Sequence, residues 1–201
     1  MITVSPVTLE ARGIRLEPLE QGHTQALIDA STDGKLWELW YTAIPVSDKM
    51  ANYVSDALEG QKNGTMLPWV VRELSTNTII GTTRYHDIVP EIDRVEIGYT
   101  WYSESRQRTA VNLTCKLMLL THAFETLNCA VVGLRTDNFN FRSQAAIAGL
   151  GAKKDGVIRH HHPRRDGSAR DTVIFSILRH EWPDVKRHLA LKLDRRARVD
   201  G

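Results

Sequence analysis

No apolar run in the 201-residue chain is long enough to span a bilayer, so nothing in it predicts a membrane partner. The opening residues, MITVSPVTLEARG, have no basic segment followed by an apolar stretch; no secretory signal is expected there, and a cytoplasmic protein is. Cysteine is scarce. Cys115 and Cys129 cannot make a disulfide framework and are expected as reduced, packed thiols, one in a helix and one in the strand after it. Neither charge dominates: 26 Lys and Arg against 24 Asp and Glu give a net charge of +2, with no global field to attract nucleic acid. Internal repeats and low-complexity linkers are absent as well. A single domain over 1–201 is expected, with a core at about 10–182 and a C-terminal helix at about 183–194. A metal set is also missing. His160 and His162 share one face of a predicted strand and His161 the other, and no Cys or carboxylate completes the pair by spacing.

What is present is an ordinary core-forming composition, 42% hydrophobic and 25% charged. Residues 1–12 read as a loose lead. Alternation predicts strands at 13–19, 66–73, 79–86 and 95–101. Helical periodicity predicts helices at 22–32 and 47–62, the second carrying Met50, Tyr53, Val54 and Leu58 on one stripe. A long helix follows with Leu113, Leu117, Leu120, Phe124 and Leu127 inward. The apolar run 129–136 suits a strand buried on both faces. A short helix at 140–148, strands at 157–162 and 172–178, and a last helix opened by Pro183 complete the order. This is a mixed α/β layer architecture.

The chain is organised around residues 94–127, a strand, a polar connector and a helix. First-turn N–H groups have no partner inside their helix, so this junction makes an anion site, and Arg106 and Arg108 are expected to reinforce it. A phosphate-bearing ligand is the expectation. The stretch Gln107-Arg108-Thr109-Ala110-Val111-Asn112 resembles motif A of the GNAT family, the Gcn5-related N-acetyltransferases, whose Gln/Arg-x-x-Gly-x-Gly/Ala loop cradles the pyrophosphate of acetyl-CoA. Gln107 matches; Ala110 and Asn112 replace the two small residues, and Ala110 adds a methyl group where glycine would let the backbone approach closely. Asn112 is expected to compensate with its own amide N–H.

A second stretch, Thr136-Asp137-Asn138-Phe139-Asn140-Phe141-Arg142-Ser143 followed by Leu150-Gly151-Ala152, resembles motif B of the same family. With the Arg-His-His-His segment and Glu181-Trp182, it is similar to the RimJ/RimL branch over about residues 10–190. The resemblance implies a GNAT fold: an α/β (α+β) mixed sheet, mostly antiparallel, splayed at its middle strands and flanked by helices. It implies acetyl-CoA as cofactor and a primary amine as substrate. The cofactor would be held by Gln107, Arg108, Thr109, Ala110, Val111 and Asn112, by Asn140, Arg142 and Ser143, and by the backbone of Gly98, Tyr99, Thr100 and Trp101.

The resemblance also implies catalytic candidates, each with a plainer alternative. Glu96, eleven residues before Gln107, stands where histone-type relatives place a general base, or is a strand carboxylate paired with an Arg such as Arg84 or Arg94. Ser143 is an acid for the departing thiolate, or a first-turn hydroxyl bonded to backbone. Ile147 rules out the tyrosine that many relatives carry one helical turn later. His162 is a base, or a solvated hairpin histidine. Trp37, Trp40, Tyr41, Trp69 and Tyr85 wall the acceptor pocket or are core. The four basic residues in 192–198 read as a solvated helix end.

An α-amine has a reference pKa of about 7.7–8.0 and a lysine about 10.4, so roughly a tenth of α-amines are neutral at pH 7 and very few lysines are. A weak base therefore suits a peptide N-terminal α-amine or a small amine, such as an amino acid or antibiotic. A CoA-binding sensor without turnover is the remaining alternative. A homodimer through an edge strand or the C-terminal helix is left open.

Overall fold

Tight turns set the frame. The computed structural model describes residues 1–42 and 44–198. Strand β1 (Leu9–Ala11) turns through Arg12 and Gly13, both at positive φ, into β2 (Ile14–Pro18). Helices α1 (Thr24–Thr32) and α2 (Met50–Lys62) follow. Strands β3 (Leu67–Glu73) and β4 (Thr78–Val89) form a hairpin closed at Asn77, whose φ is 54°. Then come β5 (Arg94–Tyr102), α3 (Val111–Thr121) ending in a π turn at His122–Thr126, β6 (Val131–Asp137) and α4 (Phe141–Ala148). Strands β7 (Lys153–Pro163) and β8 (Ala169–Leu178) and helix α5 (Trp182–Ala197) close the chain.

The eight strands make one sheet in the order β1-β2-β3-β4-β5-β6-β8-β7. Every neighbour pair is antiparallel except β5 and β6. Those two touch over three residues only, Arg94 to Glu96 against Val131 to Gly133. Beyond that short seam they diverge. The β6-facing edge of Gly98–Tyr102 and the β5-facing edge of 134–137 therefore have no ladder partner. Because β5 and β6 are parallel, the N-termini of α3 and α4 flank the same open end.

One face of the sheet packs on α3 and α5 through Tyr85, Val95, Ile97, Leu119, Leu120, Val132, Phe175 and Leu189. The other packs on α1 and α2 through Leu27, Met50, Val54, Val70, Ile79 and Trp101. Helix α3 buries Leu113, Cys115, Met118, Leu119 and Leu120, so it is apolar nearly all round and lies inside the molecule.

Three expectations are corrected here, and for Trp69 and Tyr85 the core alternative holds. Residues 1–12 are not a loose lead: Ile2 is buried, Leu9–Ala11 is a strand, and Val7 O accepts from Trp69 Nε1 at 2.7 Å. The lead covers apolar sheet that would otherwise be wet. Cys129 lies just before β6 rather than in it; it and Cys115 are free and buried, and burial raises both thiols to about 11. Trp69 and Tyr85 belong to the core on the α3 face, the ring centroids 5.0 Å apart, and wall no pocket. The alternation of the three histidines fails because β7 bulges: Ile158 faces Thr172 and His162 faces Arg170, so three residues oppose one, with His160 at φ 53°. The rings of His161 and His162 consequently sit side by side, 4.1 Å apart.

Candidate active site

The loop before α3 is shaped from behind. Arg196 of α5 donates Nη1 to Arg108 O at 3.1 Å and to Thr109 O at 2.5 Å. In a trans peptide the next residue's N–H points the opposite way, so those of Thr109 and Ala110 are aimed away from α5. Thr114 N–H closes on Ala110 O, and no backbone partner takes the N–H of Asn112 or Leu113 among the described residues. Ala110 has φ −69° and ψ −15°, ordinary helical values that need no glycine. Gln107 braces the loop from inside, its Nε2 on Tyr102 O at 3.1 Å. Tyr102 O–H donates to Asn112 Oδ1 at 3.3 Å, which leaves the amide N–H₂ for a ligand. Arg108 is exposed at φ 64°. Arg106 does not serve the anion site. It holds Glu73 on β3 through two bonds of 2.8 Å.

Below the open seam, Lys116 of α3 reaches Thr100 Oγ1 at 2.9 Å, and Thr100 shares a 2.7 Å hydrogen bond with Thr83. Burial lowers the Lys116 ammonium to about 8. The rings of Trp101 and Tyr102 point to opposite faces and are both buried, so this part of β5 offers the slot its backbone. At the other flank, Asn140 caps α4, its Oδ1 accepting from Ser143 N at 3.0 Å. Ser143 is half-buried there and Arg142 is exposed.

On the face opposite α3 a polar cluster crosses three strands, β4, β5 and β6. Glu96 is 6% exposed. Arg94 Nη2 binds its Oε1 at 2.7 Å, and Arg135 Nε lies 3.5 Å from Oε2. The ion-pair alternative thus describes its contacts, with Arg94 as partner and not Arg84. Arg135 also meets Asp87 at 2.6 Å and His86 Nδ1 at 3.2 Å. His86, Asp87 and Glu96 offer ligand atoms within 4.8 Å of one another, but the guanidinium of Arg135 contacts all three side chains and already supplies the positive charge. A hydrogen bond with His86, then Arg135, holds the Asp87 carboxyl at about 2. Two glycines make the room. A Cβ on Gly98 would lie 2.3 Å from His86 Nε2, and one on Gly133 would lie 2.7 Å from Glu96 Cγ.

His162 is exposed at the edge of this cluster. Loss of hydration lowers its pKa first, then the positive charges of His161, Arg135 and Arg170, against Asp87. The imidazole is therefore neutral at pH 7 and able to accept a proton.

The β7–β8 hairpin roofs this face. Arg165 donates to the carbonyls of Trp37 and Ile44 in the α1–α2 connection. Arg164 lies 4.7 Å above the Trp40 ring while pairing with buried Asp137 at 2.7 Å. Trp40 packs on Phe139 at 5.4 Å, so among the predicted wall residues Trp40 faces this side.

Residues 14–153 match the Acetyltransferase (GNAT) domain family. The chain belongs to this family. It is similar to the uncharacterized N-acetyltransferase YoaA of Bacillus subtilis (strain 168), 27% identical over 124 residues that cover 61% of this chain and 67% of that one. The fold matches the crystal structure of a GCN5-related N-acetyltransferase from Brucella melitensis, with TM-score 0.84, 24% identity and coverage of 94% and 86%. It also matches RimL, a ribosomal L7/L12 alpha-N-protein acetyltransferase in complex with coenzyme A, with TM-score 0.73, 15% identity and coverage of 86% and 98%. The chain is a GNAT enzyme that uses acetyl-CoA to acylate an amine, and its donor set fits that cofactor: outward N–H groups at the α3 loop and unpaired strand edges at the seam. No helix among the described residues is long and apolar enough to cross a membrane.

The structure brings Gln107 to Asn112, Gly98 to Trp101, and Asn140 to Ser143 around one open end of the sheet. Glu96 and His162 lie on the face opposite α3. Sequence reasoning missed His86, Asp87, Arg135 and Lys116, and took Arg196 for a solvated tail residue. The signal for His86 and Arg135 was alternation: each lies on the face away from α3, as Glu96 does.

Proposed function

We propose that this acetyltransferase acts on the α-amine of a small molecule. The observation that carries the reading is the roof: Arg164 and Arg165 tie the β7–β8 hairpin to the α1–α2 connection, which narrows the amine side of the slot. The α3 loop and the edges of β5 and β6 hold acetyl-CoA, with Asn140, Arg142 and Ser143 at the second flank. Bound there, the cofactor supplies an acetyl group on a good leaving thiolate. His162, neutral at pH 7, takes the amine proton through water, and Glu96 with Arg135 keeps the polar cluster in register around it. Ser143 Oγ delivers a proton at the thiolate end. A base as weak as imidazole suffices because the α-amine is itself partly neutral. The described chain serves as one acetyltransferase domain.

Two measurements test this. Calorimetric titration with acetyl-CoA and with CoA should give micromolar or tighter binding that weakens in Gln107→Ala and Asn112→Ala. Thiol release should then favour small α-amines over lysine side chains and over peptides. Turnover of peptide N-termini ahead of every small amine would replace the reading with that of a protein N-terminal acetyltransferase.

A further inference from the structure

Arg84 is 2% exposed, and among the described residues no carboxylate pairs with it. Its neighbours in the fold are treated otherwise. Arg72 holds Glu17, Arg94 holds Glu96, Arg106 holds Glu73, Arg135 holds Asp87, and Arg164 holds Asp137. The guanidinium of Arg84 lies between two rings, 4.2 Å from the Tyr53 centroid and 4.3 Å from that of Tyr99. Nη1 touches Met66 Sδ at 3.4 Å, a weak acceptor. Nε and Nη2 meet no acceptor. Flanking rings offset part of the cost of burying a charge, but they leave those two N–H groups unsatisfied.

Nε and Nη2 form one edge of the guanidinium, the fork that receives a carboxylate through two parallel hydrogen bonds. That edge belongs to the amine side of the slot. Arg84 pairs across the ladder with Gly98, and the ring over it is that of Tyr99, 43% exposed on a bulge at φ 52°. Of the two flanking rings that of Tyr99 is the more exposed, so this side of Arg84 is the nearer to solvent.

We infer that the acceptor amine carries a carboxylate, and that Arg84 receives that group while the amine faces the acetyl thioester. This rests on the proposed small α-amine and narrows it to amino acids and compounds with the same pair of groups. In the step itself the amine nitrogen bonds to the acetyl carbon, the C–S bond breaks, and the nitrogen's proton is given up as the thiolate gains one; Arg84 orients and exchanges nothing.

The test is thiol release from acetyl-CoA with the common amino acids, their amides, and aminoethyl phosphate, in the parent, Arg84→Met and Arg84→Lys. At least one amino acid should exceed its amide in kcat/KM by about 100-fold in the parent, the scale of two charge-assisted hydrogen bonds. That ratio should fall to near one in Arg84→Met and recover only in part in Arg84→Lys, which keeps the charge but not the fork. Equal use of acids and amides by the parent, preference for the phosphate, or an unchanged ratio in Arg84→Met would overturn the inference. Calorimetry of the CoA-loaded protein with N-acetyl amino acids and their amides gives the same comparison without turnover. Melting curves exclude misfolding. CoA binding and turnover of some small α-amine report on the underlying function, whereas the acid-to-amide ratio reports on Arg84, so the two can fail separately.

Discussion

A hydrogen atom is all that fits on the inner side of Gly98. In Gly98→Ala the new methyl must displace His86, whose ring contacts Tyr99 and Arg135. Overpacking of this kind costs about 1–3 kcal/mol. Thermal unfolding should show that loss, and the acetylation rate should fall at least about tenfold as the cluster shifts. His162 sets the pH profile. Its pKa is lowered from 6.5, so the neutral imidazole is lost only as pH drops below that value. Activity, once corrected for the neutral fraction of the amine, should hold from pH 8 to 7 and decline on an acid limb below 6.5 that His162→Asn removes; an unchanged limb in that variant would assign the proton to another group. Among single residues, the placement of Asn140, Ser143 and Gln107 was legible because each is fixed locally, by a cap or a loop bond. Arg84, His86 and Arg135 were not, since their roles arise from the register of three strands, which spacing within one strand does not state.

The three-residue seam between β5 and β6 organises the elements. Alternation in 95–101 and the apolar run after Asn128 announced two central strands, and the strand-to-helix junction announced the slot. Bulges were invisible: the left-handed turns at Tyr99 and His160 are stereochemical exceptions that no pattern of period two contains. The role of α5 was equally hidden, because its amphipathic pattern described its buried stripe and said nothing of Arg196. This arginine ties two loop carbonyls to the last helix. Arg196→Ala should leave the fold intact, since the side chain is only half-buried, while weakening acetyl-CoA binding by about tenfold, the worth of a charged hydrogen bond or two. Calorimetry of that variant beside the parent decides it; equal affinities would make the clasp ornamental.

Across the whole molecule, ion pairs at the sheet and its rims hold several carboxylates below their usual range: Glu17 through Arg72, Glu73 through Arg106, Glu125 through Lys186, and Asp87 through His86 and Arg135. A depressed folded-state pKa gives stability that is complete above the unfolded value and is lost as pH falls toward the folded one. For Asp87 the window runs from 3.8 down to about 2. The melting temperature should be flat near neutrality and fall steeply below pH 4, and Asp87→Asn should flatten that acid slope while lowering the neutral plateau. An identical slope in the variant would show that Asp87 does not contribute.

The clasp from α5 also has a bearing on time. Chains leave the ribosome N-terminus first and fold as they emerge. The strands of the seam and the loop before α3 are made early, whereas Arg196 lies 87 residues beyond the last carbonyl it holds. A nascent chain can form the sheet and still present a loop whose carbonyls are untethered. The clasp is therefore expected to form after the sheet, and the loop to gain its full hold on acetyl-CoA only once α5 has been made.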